Sequence, residues 1–224
     1  MAHDRMDMQF TSKECARKMS SPNLRDWGRL KRSGRYLKGA PRVVMHYPFQ
    51  ELPSTLIGYS DANWAGDKQT RKSTSGGVVM FGAHYIKSWS KTQSTVALSS
   101  AESELYGLVK CVAEVLGIKS AIERWGIEIK GVIKSDASAA LGIIQRQGLG
   151  KMRHLDCSYL YIQQVSAERI LRFEKVPGAS NPAYLCTKGL PSEKIKEHMA
   201  YINAYFLAGR ADVASKLCGS NCLQ

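Results

Sequence analysis

A chain of 224 residues and 24.8 kDa has room for one domain of ordinary size plus an appendage. Its 44% apolar and 23% charged residues describe a chain with a real core and exclude a disordered or fibrous one. Lys and Arg outnumber Asp and Glu by 32 to 19, a net charge of +13 that points to a polyanionic partner, nucleic acid before any other.

No run approaches the roughly 18 apolar residues of a membrane helix, and the N-terminal MAHDRMDMQF carries no apolar signal segment. A soluble intracellular protein, cytoplasmic or nuclear and without a membrane partner, is expected. About half of the positive surplus falls in residues 1–53. There Thr11–Met19 and Asn23–Leu37 read as helices, the second with Trp27, Leu30 and Tyr36 or Leu37 at helical spacing. Pro41, Pro48 and Pro53 then punctuate an extended connector. With too few apolar residues to fold alone, 1–53 reads as a helical tether to something upstream.

From Ser54 the pattern turns to mixed α/β. Leu56–Ser60 is a short strand ending at Asp61, and Ser73–Phe81 and Tyr85–Ser90 form a hairpin through Gly-Ala-His. Ser99 and Glu102 have the spacing of a capping box, and Leu105, Leu108, Val109, Val112 and Leu116 follow at helical spacing towards Trp125. Ile129–Ser135 reads as a strand, Ala137–Gln147 and Leu155–Glu168 as helices, and Leu171–Val176 as the last strand. Helices near Asn181–Lys188 and Ser192–Leu207 close the chain, and Ala211–Gln224 reads as a disordered tail. Three antiparallel strands thus lead into strands alternating with helices, an α/β domain over 54–191 with 192–224 as C-terminal helix and tail. The six cysteines read as reduced thiols; Cys218 and Cys222 are close, but no histidine completes a zinc set.

Acidic residues are scarce here, so those at strand ends carry information. Asp61 follows one strand in G-Y-S-D-A, and Asp136 follows another in I-K-S-D-A. Ligands of open α/β sheets bind at such ends; equally, Asp136 could cap the next helix and Asp61 could sit in a turn. Glu102 and Glu104 point roughly 200° apart on a helix, so they cannot serve one site. Glu102 is used by the capping box. Glu104 remains at the edge of the apolar stripe, where a carboxylate is costly unless a cation faces it. Three carboxylates in one place call for a hard divalent cation such as Mg²⁺, which suits phosphodiester chemistry.

The runs G-Y-S-D-A-N-W-A-G-D, R-K-S-T-S-G-G, S-W-S-K-T-Q-S-T-V-A-L-S-S-A-E-S-E-L, K-S-D-A-S-A-A-L, M-R-H-L-D and N-P-A-Y-L-C-T-K-G-L-P resemble the ribonuclease H domain of copia-type retrotransposon polyproteins. The resemblance covers about Ser54–Pro191, and the segment before it resembles the link from reverse transcriptase. It implies a ribonuclease H-like fold with a five-stranded mixed sheet flanked by helices. It further implies two-metal hydrolysis of the RNA strand of RNA–DNA hybrids or related duplexes, with Mg²⁺ or Mn²⁺, in company with reverse transcriptase or other polyprotein parts. Asp61, Glu104 and Asp136 match three of that family's four metal ligands. The fourth, the aspartate of a motif like A-D-I-L-T-K, is Tyr184 in A-Y-L-C-T-K here. A tyrosine is neutral at pH 7 and a poor ligand for Mg²⁺, so either a residual ribonuclease or a relic that only binds nucleic acid is implied. Glu174 and Asp156 are the nearest acidic substitutes in sequence. His154 matches a family histidine but reads more readily as a packing residue. Trp89 reads as core or half-core, and Trp64 as either core or a base-stacking residue. An integrase, which shares the fold, is disfavoured because its N-terminal zinc motif is missing.

Overall fold

The computed structural model describes residues 5–146 and 157–209. Helices α1 (Gln9–Ala16) and α2 (Leu24–Gly39) come first. Strands β1 (Arg42–Met45), β2 (Thr55–Asn63), β3 (Thr74–Phe81) and β4 (His84–Thr92) follow, then helix α3 (Ser100–Glu123). Strand β5 (Lys130–Ser135), helices α4 (Ser138–Gln145) and α5 (Cys157–Ala167), strand β6 (Leu171–Lys175), a 3-10 turn at Pro182–Cys186, helix α6 (Ser192–Tyr201) and strand β7 (Ala204–Leu207) complete the order. The main sheet runs β4-β3-β2-β5-β6, with β4, β3 and β2 antiparallel and β5 and β6 added in parallel. Three meandering strands followed by two crossover strands is the topology of a ribonuclease H-like fold.

The long helix forms as its sequence requires. The Ser99 hydroxyl accepts the Glu102 N–H at 3.2 Å, while the Glu102 carboxylate turns back to the Leu98 N–H at 2.8 Å. The reciprocal half of the expected capping box therefore lands one residue early. Leu105, Leu108, Cys111, Val112 and Val115 are fully buried against β2. Close approach is possible because Gly58 lacks a side chain; a Cβ there would lie 2.6 Å from Val115 Cγ2. Helices α4 and α5 extend this layer with Ile144, Tyr159, Ile162 and Val165.

The opposite face is covered by pieces from distant parts of the chain. Met6, Val78, Met80, Tyr85, Leu185, Met199 and Ile202 form its core. Gln9 Nε2 donates to Ser88 Oγ at 2.7 Å, seating the start of α1 on β4. Here the structure corrects the local reading. The expected connector contains β1, which pairs antiparallel with β7 inside the expected final helix. Helix α6 stops at Tyr201, and Asn203 turns the chain with φ +54. The expected helix near Asn181–Lys188 is only the 3-10 turn, opened by Pro182 with Asn181 as its cap. Such pairings depend on partners far away in sequence, so a local pattern cannot show them. Among the described residues, no helix is long and apolar enough to cross a membrane.

Candidate active site

Strand β2 does not end at Asp61, as expected, but continues to Asn63 beside β3. What ends there is its parallel neighbour. The last registered pair of β2 and β5 is Tyr59 with Lys134. Two residues beyond that pair come Asp61, still within β2, and Asp136, in the bend that follows β5. Glu104 approaches from the first turns of α3, where its Oε1 accepts the Ala62 N–H at 3.2 Å. Gln93 secures that approach, donating to Ser75 Oγ and to the Ser103 carbonyl at 2.8 Å each.

Asp61, Glu104 and Asp136 offer ligand atoms that all lie within 4.8 Å of one another. The capping and turn alternatives fail: helix α4 has Ala137 at its cap position without a side-chain bond, and Asp61 lies within a paired strand. Glu104 Oε2 and Asp136 Oδ1 are buried with no hydrogen-bond partner among the described residues. At this spacing each ionised pair repels by about 3 kcal/mol at an effective dielectric of about 20. Protons relieve that repulsion. Burial first, then the charges of Asp61 and Asp136, push Glu104 up to about 9. Burial likewise raises Asp61 to about 6, against the opposing effects of Lys188 and the Thr187 hydroxyl.

Residues 181–188 close the pocket. Asn181, fully buried, donates from Nδ2 to the Ser60 carbonyl at 2.9 Å and accepts the Ala183 N–H at 3.1 Å. The turn lies flat on β3 because Gly76 has no side chain; a Cβ there would sit 2.6 Å from both Cys186 Cβ and Thr187 Cγ2. Three groups thereby face the carboxylates. Tyr184 Oη donates to Asp136 Oδ2 at 2.6 Å, and Thr187 Oγ1 donates to Asp61 Oδ2. Lys188 Nζ lies 3.8 Å from Asp61 Oδ2 and 3.4 Å from the centroid of the Tyr184 ring. Burial and the bond to Asp136 raise the Tyr184 phenol, which stays protonated as a donor. A side chain at position 178 would collide with it: a Gly178 Cβ would lie 2.5 Å from Tyr184 Oη. His198 of α6 supports the ring edge-on, with centroids 5.8 Å apart.

Glu174 does not join the acidic group. It sits on β6 with Lys134 Nζ at 3.6 Å and Arg172 Nη1 at 3.5 Å. His154 and Asp156 lie outside the described residues, as does the Cys218–Cys222 tail. Of the cysteines described, Cys15, Cys111 and Cys186 are free thiols. Trp89 is buried across from Gly77, whereas Trp64 is half exposed with its Nε1 donating to the Ala97 carbonyl at 3.0 Å. Asn181, Thr187 and Lys188 were not singled out from sequence. Their signal was present, since all three lie in N-P-A-Y-L-C-T-K, but only the folded turn aims them at the carboxylates.

No protein-family model matches the chain. The retrovirus-related Pol polyprotein from transposon TNT 1-94 of Nicotiana tabacum is 27% identical over 198 residues, 88% of this chain and 15% of that protein. The Pol polyprotein from transposon RE2 of Arabidopsis thaliana is 31% identical over 195 residues, 85% of this chain and 13% of that protein. Among solved structures, the N-terminal RNase H domain of a Mycobacterium tuberculosis protein, fused to maltose-binding protein, aligns with a TM-score of 0.46 at 14% identity. It covers 60% of this chain and 91% of its own. LC11-RNase H1 in complex with an RNA/DNA hybrid aligns at 0.44 and 17% identity, covering 59% of this chain and 93% of its own. The chain spans about one seventh of the length of the curated relatives it matches. With its motifs, topology and relatives in agreement, it is a homologue of the retrovirus-related Pol polyproteins of copia-type transposons and has a ribonuclease H-like fold.

Proposed function

We propose that this domain hydrolyses the RNA strand of RNA–DNA hybrids with the help of a divalent cation, Mg²⁺ or Mn²⁺, held by Asp61, Glu104 and Asp136. One observation carries the reading: three carboxylates from β2, α3 and the end of β5 converge within 4.8 Å in a chain of net charge +13. Buried carboxylate oxygens without partners, Glu104 Oε2 and Asp136 Oδ1, suit a hard cation that prefers oxygen ligands. When bound, such a cation polarises the phosphate and lowers the pKa of a water for attack on phosphorus.

The chain's own residues do the rest. The Ala62 N–H fixes Glu104, the Thr187 hydroxyl fixes Asp61, and the Tyr184 hydroxyl fixes Asp136. Positive surface charge holds the duplex by its phosphates, and contacts to 2′-hydroxyls choose the RNA strand. In this reading the domain acts beside a reverse transcriptase, as part of a longer polyprotein or in trans. The test is cleavage of an end-labelled hybrid by the pure protein with and without Mg²⁺. Metal-dependent cutting of the RNA strand is expected; cutting that persists undiminished in Asp61→Asn sinks the assignment.

A second reading has its own support in Tyr184, which stands where the resemblance to the ribonuclease H domain of copia-type polyproteins implies a fourth carboxylate. It makes the domain a nucleic-acid binder without cleavage. Affinity would then fall steeply with salt, and no product would form in Mg²⁺ or Mn²⁺.

A further inference from the structure

The donors around the three carboxylates bear on how many cations the pocket can hold. Each carboxylate already has one oxygen engaged. Glu104 Oε1 accepts the Ala62 N–H, Asp136 Oδ2 accepts the Tyr184 hydroxyl, and Asp61 Oδ2 accepts the Thr187 hydroxyl with Lys188 Nζ nearby. Two oxygens remain buried and unpartnered among the described residues, Glu104 Oε2 and Asp136 Oδ1, and Asp61 Oδ1 stands beside them as the third ligand atom of the group. Three oxygens make one face of an octahedral ion, leaving about three positions for water and phosphate. A second ion about 4 Å away would need further carboxylate oxygens. Tyr184 supplies none, and its hydroxyl and that of Thr187 each take up a lone pair, on Asp136 Oδ2 and Asp61 Oδ2 respectively.

Charge leads to the same answer. Three carboxylates carry three negative charges when ionised, and one divalent cation together with the Lys188 ammonium supplies three positive ones. Two divalent cations would leave an excess beside a lysine. Nor is Lys188 a loose surface group. Its Nζ is only 3.4 Å from the centroid of the Tyr184 ring, a cation–π contact that pins the ammonium between that ring and Asp61. Tyr184 therefore does two things an aspartate could not: it caps Asp136 with a proton, and it seats a lysine.

We propose that this pocket binds a single divalent cation, with Lys188, held over Tyr184, standing as the second positive charge beside the phosphate. This rests on the metal-site reading above, and the experiment separates the two. Mn²⁺ is titrated into the pure chain and followed by electron paramagnetic resonance, which counts ions and detects coupling between neighbouring ones. One bound ion per chain without coupling is expected. Two coupled ions in the parent protein overturn the single-cation proposal and leave the metal-site reading standing; no bound ion overturns both. In Lys188→Met, Mn²⁺ affinity should rise several-fold while hybrid cleavage falls, a split that a merely structural lysine would not give. Affinity unchanged or lowered in a variant with unaltered circular dichroism contradicts the role given to Lys188. In Tyr184→Asp, a second, coupled Mn²⁺ signal is expected; a count that stays at one in that variant contradicts the role given to Tyr184.

Discussion

The two sides of the carboxylate pocket are built from different material. Asp61, Glu104 and Asp136 come from β2, α3 and the end of β5, elements fixed by backbone ladders and by a large core. Tyr184, Thr187 and Lys188 come from a 3-10 turn and the residues after it, held by the Asn181 side chain and by the room left at Gly76. Regular structure sets where a cation can be bound. The irregular segment sets which hydroxyls and which ammonium face it.

The strongest way to break this division is at the acidic side. Asp61→Asn should lower hybrid cleavage by more than the roughly 10–100-fold typical of residues that only orient a ligand, and it should abolish Mn²⁺ binding. An unchanged titration would show that the sheet side does not hold the ion. On the irregular side, Tyr184→Asp should raise cleavage about ten-fold, measured as initial rates on a labelled hybrid, by restoring a fourth oxygen donor. Absence of any gain would mean that Tyr184 does not limit the site.

Asn181→Ala tests what holds the irregular side in place. It strips the Ser60 carbonyl and the Ala183 N–H of their partner in a buried setting. Each such loss costs about 1–3 kcal/mol, so urea denaturation should show a clear fall in midpoint, accompanied by weaker cation binding as Tyr184 and Thr187 shift.

The smallest effect concerns pH. Glu104 is raised towards about 9 in the protein but has an ordinary carboxylate pKa when unfolded. Between those values the folded, metal-free protein binds the extra proton, so this group's contribution makes stability fall as pH rises across that window. A cation relieves the penalty. The rise in Tm on adding Mg²⁺ should therefore grow from pH 6 to pH 9, and a flat or declining increment would contradict the assigned environment of Glu104.

Much of this was legible in sequence because it is local. The α3 stripe, its Ser99 cap and the β3–β4 hairpin each follow from neighbours within a few residues. Choosing Glu104 over Glu102 needed only helical geometry, and Glu102 is indeed occupied at the helix start. The pairing of β1 with β7 was not legible, because Arg42 and Leu207 are each other's partners across most of the chain. The segment near 181–188 read as a helix, whereas Pro182 and the buried Asn181 bonds favour the tighter coil.

By itself, then, the amino-acid order determined the alternation of strands and helices, the basic surplus, the three acidic positions and the substitution at 184. Only the tertiary structure decided that Asp61 and Asp136 converge with Glu104, that Glu174 pairs with Lys134 instead of joining them, and that Tyr184, Thr187 and Lys188 cap the pocket. The physical reason is that charge proximity is a property of register and of crossing chain segments. Neither is encoded by the spacing of residues along a single stretch.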